Sequence, residues 1–538
     1  MSTEAPARRR QLRSSWLLGL LALVLTVPAT VALASQDSGL VRAEAVAPGA
    51  TGVPVTTLVD DASTPHPVVV VVHGFAGSAQ LMDDLGVSLA RAGYAVVLPD
   101  LAGHGRNAAP LPLRDGSVAT DTIDADLAAV VRWSAQQPWA DQSRLPALVG
   151  HSMGAGAVVR YAVASPDALG ATVALSLPSA DDLPSGSALV PRNLLLLYGA
   201  NEQQRFVDAA LEGLRAAYPD GVVGPGYGAP VDGTARAAQV VPRADHITIL
   251  FSSDTRQLTI DWLDQTVGAP SSGHDASGSR ILWLLVLMAG AAIGFVPLAR
   301  LLLPERTPGE GGPAEAPRPR APVALLVSVV GAVVASLAAA ALSGVASRVP
   351  LAVGGYVLVW FACGGLAVAV LTTLVRRRTT WLQASAPADA PAGAVPGSVL
   401  REVVVVLVLT AYAVVALALV GRATWSAFEL AGDRRSWLLV VELAFIAWFW
   451  ADDRLVGSRW WLALLTRVVA VVVLLASVVV LGAPGFLTLL VPLMAVVLGL
   501  LVVYGQSVTR RARLPWAAAV VQGVPLAYLV VTTFPLVS

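Results

Sequence analysis

The chain contains no lysine, so all 36 of its basic Lys/Arg residues are arginine. That excludes a serine–lysine dyad and any chemistry through a lysine Schiff base. Cysteine is almost as scarce. Cys363 is the only one, and it sits in an apolar run. An internal disulfide and a cysteine-clustered metal site are therefore excluded, and a small buried hydrophobe is the expected state. Charged residues make up only 13% of the chain, against about 25% in soluble domains. The net charge is zero, which leaves no electrostatic case for nucleic acid. No phosphate-cradling loop and no metal-ligand cluster is seen, so no cofactor and no metal is expected.

What the chain has instead is hydrophobic residues, 55% of 538. It is too long for one ordinary domain. Arg8, Arg9, Arg10 and Arg13 precede an apolar run from Trp16 to Leu33. Residues 1–35 thus read as a signal peptide or a signal-anchor helix. Ala32-Leu33-Ala34 suits cleavage, and either state carries the residues after it across a membrane. Residues 50–268 read as an α/β domain and 269–280 as a linker. From 281 to 538, apolar stretches of spanning length recur near 281–303, 322–346, 351–375, 401–420, 437–451, 460–481, 485–505 and 515–535. This predicts about eight transmembrane helices. Membrane lipid is an expected partner, and protein partners are not indicated.

Arginine counts give an orientation. With the N-terminus inside, the inner loops hold Arg306, Arg318, Arg320, Arg376, Arg377, Arg378, Arg401, Arg454, Arg459, Arg510, Arg511 and Arg513. The outer loops hold Arg348, Arg422, Arg434 and Arg435. This bias predicts a multi-pass protein of the cell membrane with the α/β domain on the extracytoplasmic side. Glu442 and Arg467 are the main ionisable residues inside the apolar runs. Their depths differ by roughly 10 Å at 1.5 Å per residue, so a pair between them is not expected and Arg467 is read as snorkelling. Asp452 and Asp453 are assigned to the inner headgroup zone.

Within the α/β domain, the apolar run Pro67 to Val72 reads as a strand buried on both faces. It leads into His73-Gly74-Phe75-Ala76-Gly77-Ser78. A second run, Tyr94 to Asp100, ends in Leu101-Ala102-Gly103-His104-Gly105. A third, Leu145 to Val149, ends in Gly150-His151-Ser152-Met153-Gly154. Helical stretches fall between, near 80–92, 121–136 and 154–164. The alternation predicts a doubly wound, mostly parallel sheet. Gly150 to Gly154 fits the G-x-S-x-G nucleophile elbow, and its place between a strand and a helix makes the motif specific.

These motifs, in this order, resemble the α/β-hydrolase superfamily over residues 53–267, in the manner of serine esterases, lipases and dienelactone hydrolases. The resemblance implies Ser152 as nucleophile and the backbone N–H groups of Phe75 and Met153 as oxyanion hole. Among six histidines, His73, His104 and His151 belong to the motifs, His66 precedes a strand and His274 lies in the linker. That leaves His246 as base, after the strand predicted at 236–241. For the acid, the strand Asn193–Tyr198 ends in Gly199-Ala200-Asn201-Glu202, where the family usually has aspartate. Glu202 is the first candidate, Asp181 or Asp182 the alternative, Asp208 a poorer third, and Asp245 is read as solvated. The expected reaction is cleavage of an ester or related acyl bond in a small-molecule or lipid-like substrate. A peptidase of the same superfamily, or a transporter or sensor with a hydrolase-like binding domain, are the alternatives. About fifteen residues, Pro178 to Arg192, stand where many relatives insert a helical cap; a minimal cap or none is expected.

Overall fold

Strands buried on both faces build the first half of the chain. The computed structural model describes residues 4–36, 38–268, 280–303, 318–381 and 396–538. Its strands are β1 (Val41–Ala47), β2 (Val53–Val59), β3 (Val68–Val72), β4 (Ala95–Pro99), β5 (Ala147–His151), β6 (Ala171–Leu175), β7 (Leu194–Gly199) and β8 (Arg236–Val241). They form one eight-stranded sheet in the order β1-β2-β4-β3-β5-β6-β7-β8. β1 and β2 form an antiparallel hairpin that β2 joins antiparallel to β4. The other pairs are parallel.

The long N-terminal helix α1 (Glu4–Gln36) precedes the sheet. Helices α2 (Asp83–Arg91), α3 (Gly116–Ser134), α4 (Met153–Ala164), α5 (Gln204–Arg215) and α6 (Ser253–Val267) cover its faces. Side chains alternate across a strand, so β3 serves two cores. Val69 and Val71 face Leu85 and Leu89 of α2 and Leu263 of α6. Val68, Val70 and Val72 face Leu127 and Val130 of α3 and Val158 of α4. All five valines are buried, each worth about 1.5–3 kcal/mol. Between β6 and β7 no helix forms among residues 176–193, so the sheet carries no helical cap there.

The sheet begins nine residues earlier than the sequence suggested, at Val41 rather than residue 50. The unit built on it also takes in residues 421–433 and 532–538. Leu536 N–H donates to the Gly103 carbonyl (2.8 Å), and its carbonyl accepts from Leu111 N–H (2.9 Å). The Ser78 hydroxyl donates to the Trp425 carbonyl (2.6 Å). Gly103 is obligatory here: its φ is +77°, and a Cβ would lie 2.4 Å from the Leu536 carbonyl oxygen. Nothing in the apolar patterning marks these distant segments as parts of the sheet unit.

The second unit holds residues 1–30, 285–420 and 434–531. Its helices are α7 (Arg280–Leu302), α8 (Ala321–Ala341), the short α9 (Ser343–Ala346), α10 (Gly354–Trp381), α11 (Pro396–Arg422), α12 (Arg434–Val456), α13 (Trp460–Leu481), α14 (Leu487–Thr509) and α15 (Ala517–Thr533). The eight longer ones fall on the eight expected stretches. Among the described residues, six helices are long and apolar enough to cross a membrane: one at the N-terminus, Arg13–Gln36, and five of these eight. The linker with His274, and Arg306, lie outside the described residues.

Two readings of the helical half are corrected. Arg467 does not snorkel: its guanidinium lies 2.5 Å from Asp452 and 3.2 Å from the Gln522 amide oxygen, over the rings of Trp448 and Phe449. Asp452 and Asp453 are buried between helices, Asp453 accepting from the Gln522 amide, which leaves their depth in a bilayer untested. A buried arginine needs a carboxylate and further hydrogen bonds to be tolerated, and α12 and α15 supply both. Cys363 is half-buried rather than buried.

Candidate active site

Topology brings the motif loops together. From β3 the chain winds first to β4 on one side and later to β5 on the other. Val72 is paired with Gly150 at the carboxyl ends of β3 and β5. That switch point is where open α/β sheets form their crevice. The loop 73–78 and the elbow at Ser152 are therefore neighbours.

Ser152 has φ 53° and ψ −115°, a rare conformation for a residue with a Cβ. Such geometry costs about 1–3 kcal/mol and persists only when its surroundings impose it. Here Ser152 N–H donates to the Leu175 carbonyl of β6 (2.9 Å), while its own carbonyl accepts from Gly156 (3.1 Å). Gly154 permits the crossing, since a Cβ there would lie 2.5 Å from the Val72 carbonyl oxygen. Met153 opens α4, so its N–H has no acceptor within the helix.

β7 and β8 are adjacent and parallel, and their carboxyl ends deliver the other two side chains. His246 Nε2 lies 3.0 Å from Ser152 Oγ. His246 Nδ1 lies 2.5 Å from Glu202 Oε1. Glu202 Oε2 accepts from Gly199 N–H (2.8 Å), which fixes the carboxylate on its own turn. The Glu202 side chain is wholly buried and that of His246 nearly so. Phe206 stacks on the imidazole at 4.3 Å between centroids, and the Arg205 guanidinium lies over the Phe206 ring. No sequence motif pointed to Phe206; its placement comes from α5 starting directly after the Glu202 turn.

The rival acids are elsewhere. Asp182 lies 3.8 Å from Arg160, Asp181 is exposed, and Asp208 accepts from Gln204 on the surface of α5. Asp245 accepts from Ile247 and Thr248 in its own turn. His66 bonds to backbone carbonyls of Asp61 and Gly93.

The remaining histidines hold the loops. His73 Nε2 accepts from Leu101 N–H (3.2 Å), which leaves Nδ1 to donate to the Gly74 carbonyl (2.8 Å). The His104 ring contacts His73 and Phe75. Asp100 accepts from Ala79 N–H and from Arg106, tying the end of β4 to the 73–78 loop. His151 Nε2 donates to the His246 carbonyl (2.8 Å), which braces the backbone of His246. Burial pushes the His73 imidazole below its ordinary value and the His151 imidazole well below it, the charge of His246 adding to the latter.

Stability therefore depends on pH. Unfolded histidine titrates near 6.5. Between that and the lowered folded values, the unfolded chain binds protons that the folded chain does not, so stability falls as pH drops through about 6.5. The urea midpoint of the sheet unit is expected to decrease steadily from about pH 7.5 to about pH 5.5. A flat midpoint over that range would show that neither imidazole is held neutral. Asp126, raised by burial, acts in the opposite sense.

The described residues contain no group of three or more His, Cys, Asp or Glu side chains placed to hold a metal ion. Residues 63–197 match the sequence profile of the family described as serine aminopeptidase, S33. Solved structures similar to the chain include a dienelactone hydrolase from Anabaena variabilis (18% identity, 43% of this chain and 99% of that one, TM-score 0.35). Others are a predicted CIB-like hydrolase from Thermoplasma acidophilum (16%, 42% and 99%, TM-score 0.32) and a thermophilic esterase from Thermogutta terrifontis (13%, 42% and 99%, TM-score 0.30). No curated protein matches the chain significantly. The sheet order, the strand–elbow–helix at Ser152 and the match over residues 63–197 give the first half of this chain the α/β-hydrolase fold, followed in the chain by a region of long apolar helices.

Proposed function

We propose that the protein is a membrane-anchored serine hydrolase that cleaves an ester or related acyl bond through an acyl-serine intermediate. The observation that carries this is the unbroken chain Glu202–His246–Ser152, at 2.5 and 3.0 Å, on an elbow strained for it. In this reading His246 takes the Ser152 proton as the oxygen attacks the acyl carbon. The N–H groups of Phe75 and Met153 hold the oxyanion, each worth roughly 3 kcal/mol. His246 then protonates the leaving alcohol, activates water for the second attack, and returns the proton to Ser152. Glu202 keeps Nδ1 protonated and stabilises the imidazolium.

The lack of a helical insertion between β6 and β7 suits acyl substrates of modest size or ones presented at a membrane surface. The arginine distribution supports an extracytoplasmic site. The family description favours a second reading, an aminopeptidase. A panel of p-nitrophenyl esters of increasing chain length, thioesters and aminoacyl arylamides separates the two. Ester turnover well above arylamide turnover is expected; the reverse would replace the esterase reading with the peptidase one.

The distant segments bear on this site. Removing residues 534–538 deletes the Leu536 bonds to Gly103 and Leu111 and exposes the apolar surface beneath Leu536. The loss is expected to be roughly 3–5 kcal/mol. Thermal unfolding of the chain ending at Thr533 measures it; an unchanged transition would mean the tail contributes nothing.

A further inference from the structure

Helices α7 and α14 change character along one face as they end. On α7, Val296 is followed one turn later by Arg300. On α14, Val502 and Val503 are followed by Gln506 and Ser507, then by Arg510 and Arg511 just past its end. These residues and Trp460, which opens α13, line a cavity of about 720 Å³. One end is walled by valines, the middle by an amide and a hydroxyl, and the other end by three guanidinium groups. Among the described residues that line it, none is acidic. Arg300 donates to the Ser14 hydroxyl, Arg510 to the Ser458 carbonyl and Arg511 to the Leu303 carbonyl.

Arginine at a helix C-terminus is favoured by the helix dipole and by membrane orientation, with or without a ligand. Neither effect requires arginines from two helices to converge on one cavity, nor an apolar wall one to two turns away. A phosphate group answers the first feature, because guanidinium binds it through paired, charge-assisted hydrogen bonds. An acyl chain answers the second. Trp460 is the first residue of a membrane-length helix, the position where aromatic rings commonly meet lipid headgroups. Basic pockets between membrane helices bind anionic headgroups on the same physical grounds.

We propose that this cavity binds an anionic phospholipid, its phosphate held by Arg300, Arg510 and Arg511 and its acyl chain lying along Val296, Val502 and Val503. The proposal rests on the helical half standing in a bilayer and does not involve Ser152. A binding readout therefore fails or succeeds independently of hydrolysis.

The test is native mass spectrometry of the full chain in a neutral detergent, titrated with phosphatidylglycerol, phosphatidylcholine or inorganic phosphate. Phosphatidylglycerol is expected to bind about tenfold or more tightly than phosphatidylcholine. The triple variant Arg300→Gln, Arg510→Gln, Arg511→Gln should lose that preference. The triple arginine-to-lysine variant should keep part of it, since charge remains but the paired geometry is lost. Should the glutamine variant fail to fold, Val503→Trp, which fills the apolar end without touching the charges, should weaken phosphatidylglycerol binding alone. Equal binding of the two lipids, or wild-type preference in the glutamine variant, would overturn the proposal. Inorganic phosphate that binds the wild type as well as the lipid does, and displaces it, would assign the cavity to a free anion instead.

Discussion

Ser152→Ala lowers kcat/KM toward any ester the protein cleaves by about 10⁴-fold or more. The hydroxyl has no substitute, since the chain holds one cysteine, Cys363, in the helical half, and no lysine. His246→Ala is expected to lose a similar amount, because Ser152 Oγ then has no base at 3.0 Å. The double variant should lose little more than either single one, since the two side chains act as a unit. Stability should barely move in Ser152→Ala, because losing the hydroxyl leaves the φ of 53° in place. Progress curves on the best ester of the panel provide the measurement. Independent, multiplying losses would mean that Ser152 and His246 serve different steps.

The second large effect is expected at Glu202. Glu202→Gln should lower kcat/KM by about 10³- to 10⁴-fold, with the substrate KM changing little. The amide can no longer stabilise the imidazolium, and it can hold His246 in the wrong tautomer by donating to Nδ1. Glu202→Asp should retain more activity than Glu202→Gln but less than wild type. Its carboxylate keeps the charge while falling short of the 2.5 Å contact and of the Gly199 N–H that now fixes Oε2. Asp181→Asn and Asp182→Asn should leave kcat/KM within a factor of about two, an effect of ordinary surface size. A large loss at either aspartate, with Glu202→Gln active, would move the acid to the turn after β6.

The candidate site was largely legible because its chemistry is written in local motifs. Gly150 to Gly154 announced the elbow, and His246 remained once five histidines had other places. Glu202 could be named first because it stands in the turn that ends β7, although its being glutamate left Asp181 and Asp182 open. Strand β8 was readable to the residue, since its apolar run ends in a charged turn. The hairpin β1–β2 was half missed. β1 is mostly exposed, with only Ala47 buried, and its alternating face Val41, Ala43, Ala45 and Ala47 offers mostly methyl groups, a weak hydrophobic signal.

Long-range pairings left almost no local trace. Trp425 and Leu536 lie beyond several membrane-length helices in the chain, yet join the sheet unit, Trp425 by accepting from the Ser78 hydroxyl and Leu536 by a backbone bond to Gly103. Only Gly103 hinted at a close approach, and glycine in that loop had a family explanation. The Arg467–Asp452 pair was missed for a related reason. Depth along two helices was compared for Glu442, while the partner stood near the end of α12, next to the turn that brings α13 back.

The central claim is that Ser152 is an activated nucleophile. Its most direct test is intact mass of the full-length protein after a fluorophosphonate probe, with peptide mapping of the product. One adduct per chain is predicted, located on Ser152, absent in Ser152→Ala and formed far more slowly in His246→Ala. A folded wild-type protein that takes up no probe, or an adduct that persists in Ser152→Ala, would contradict it.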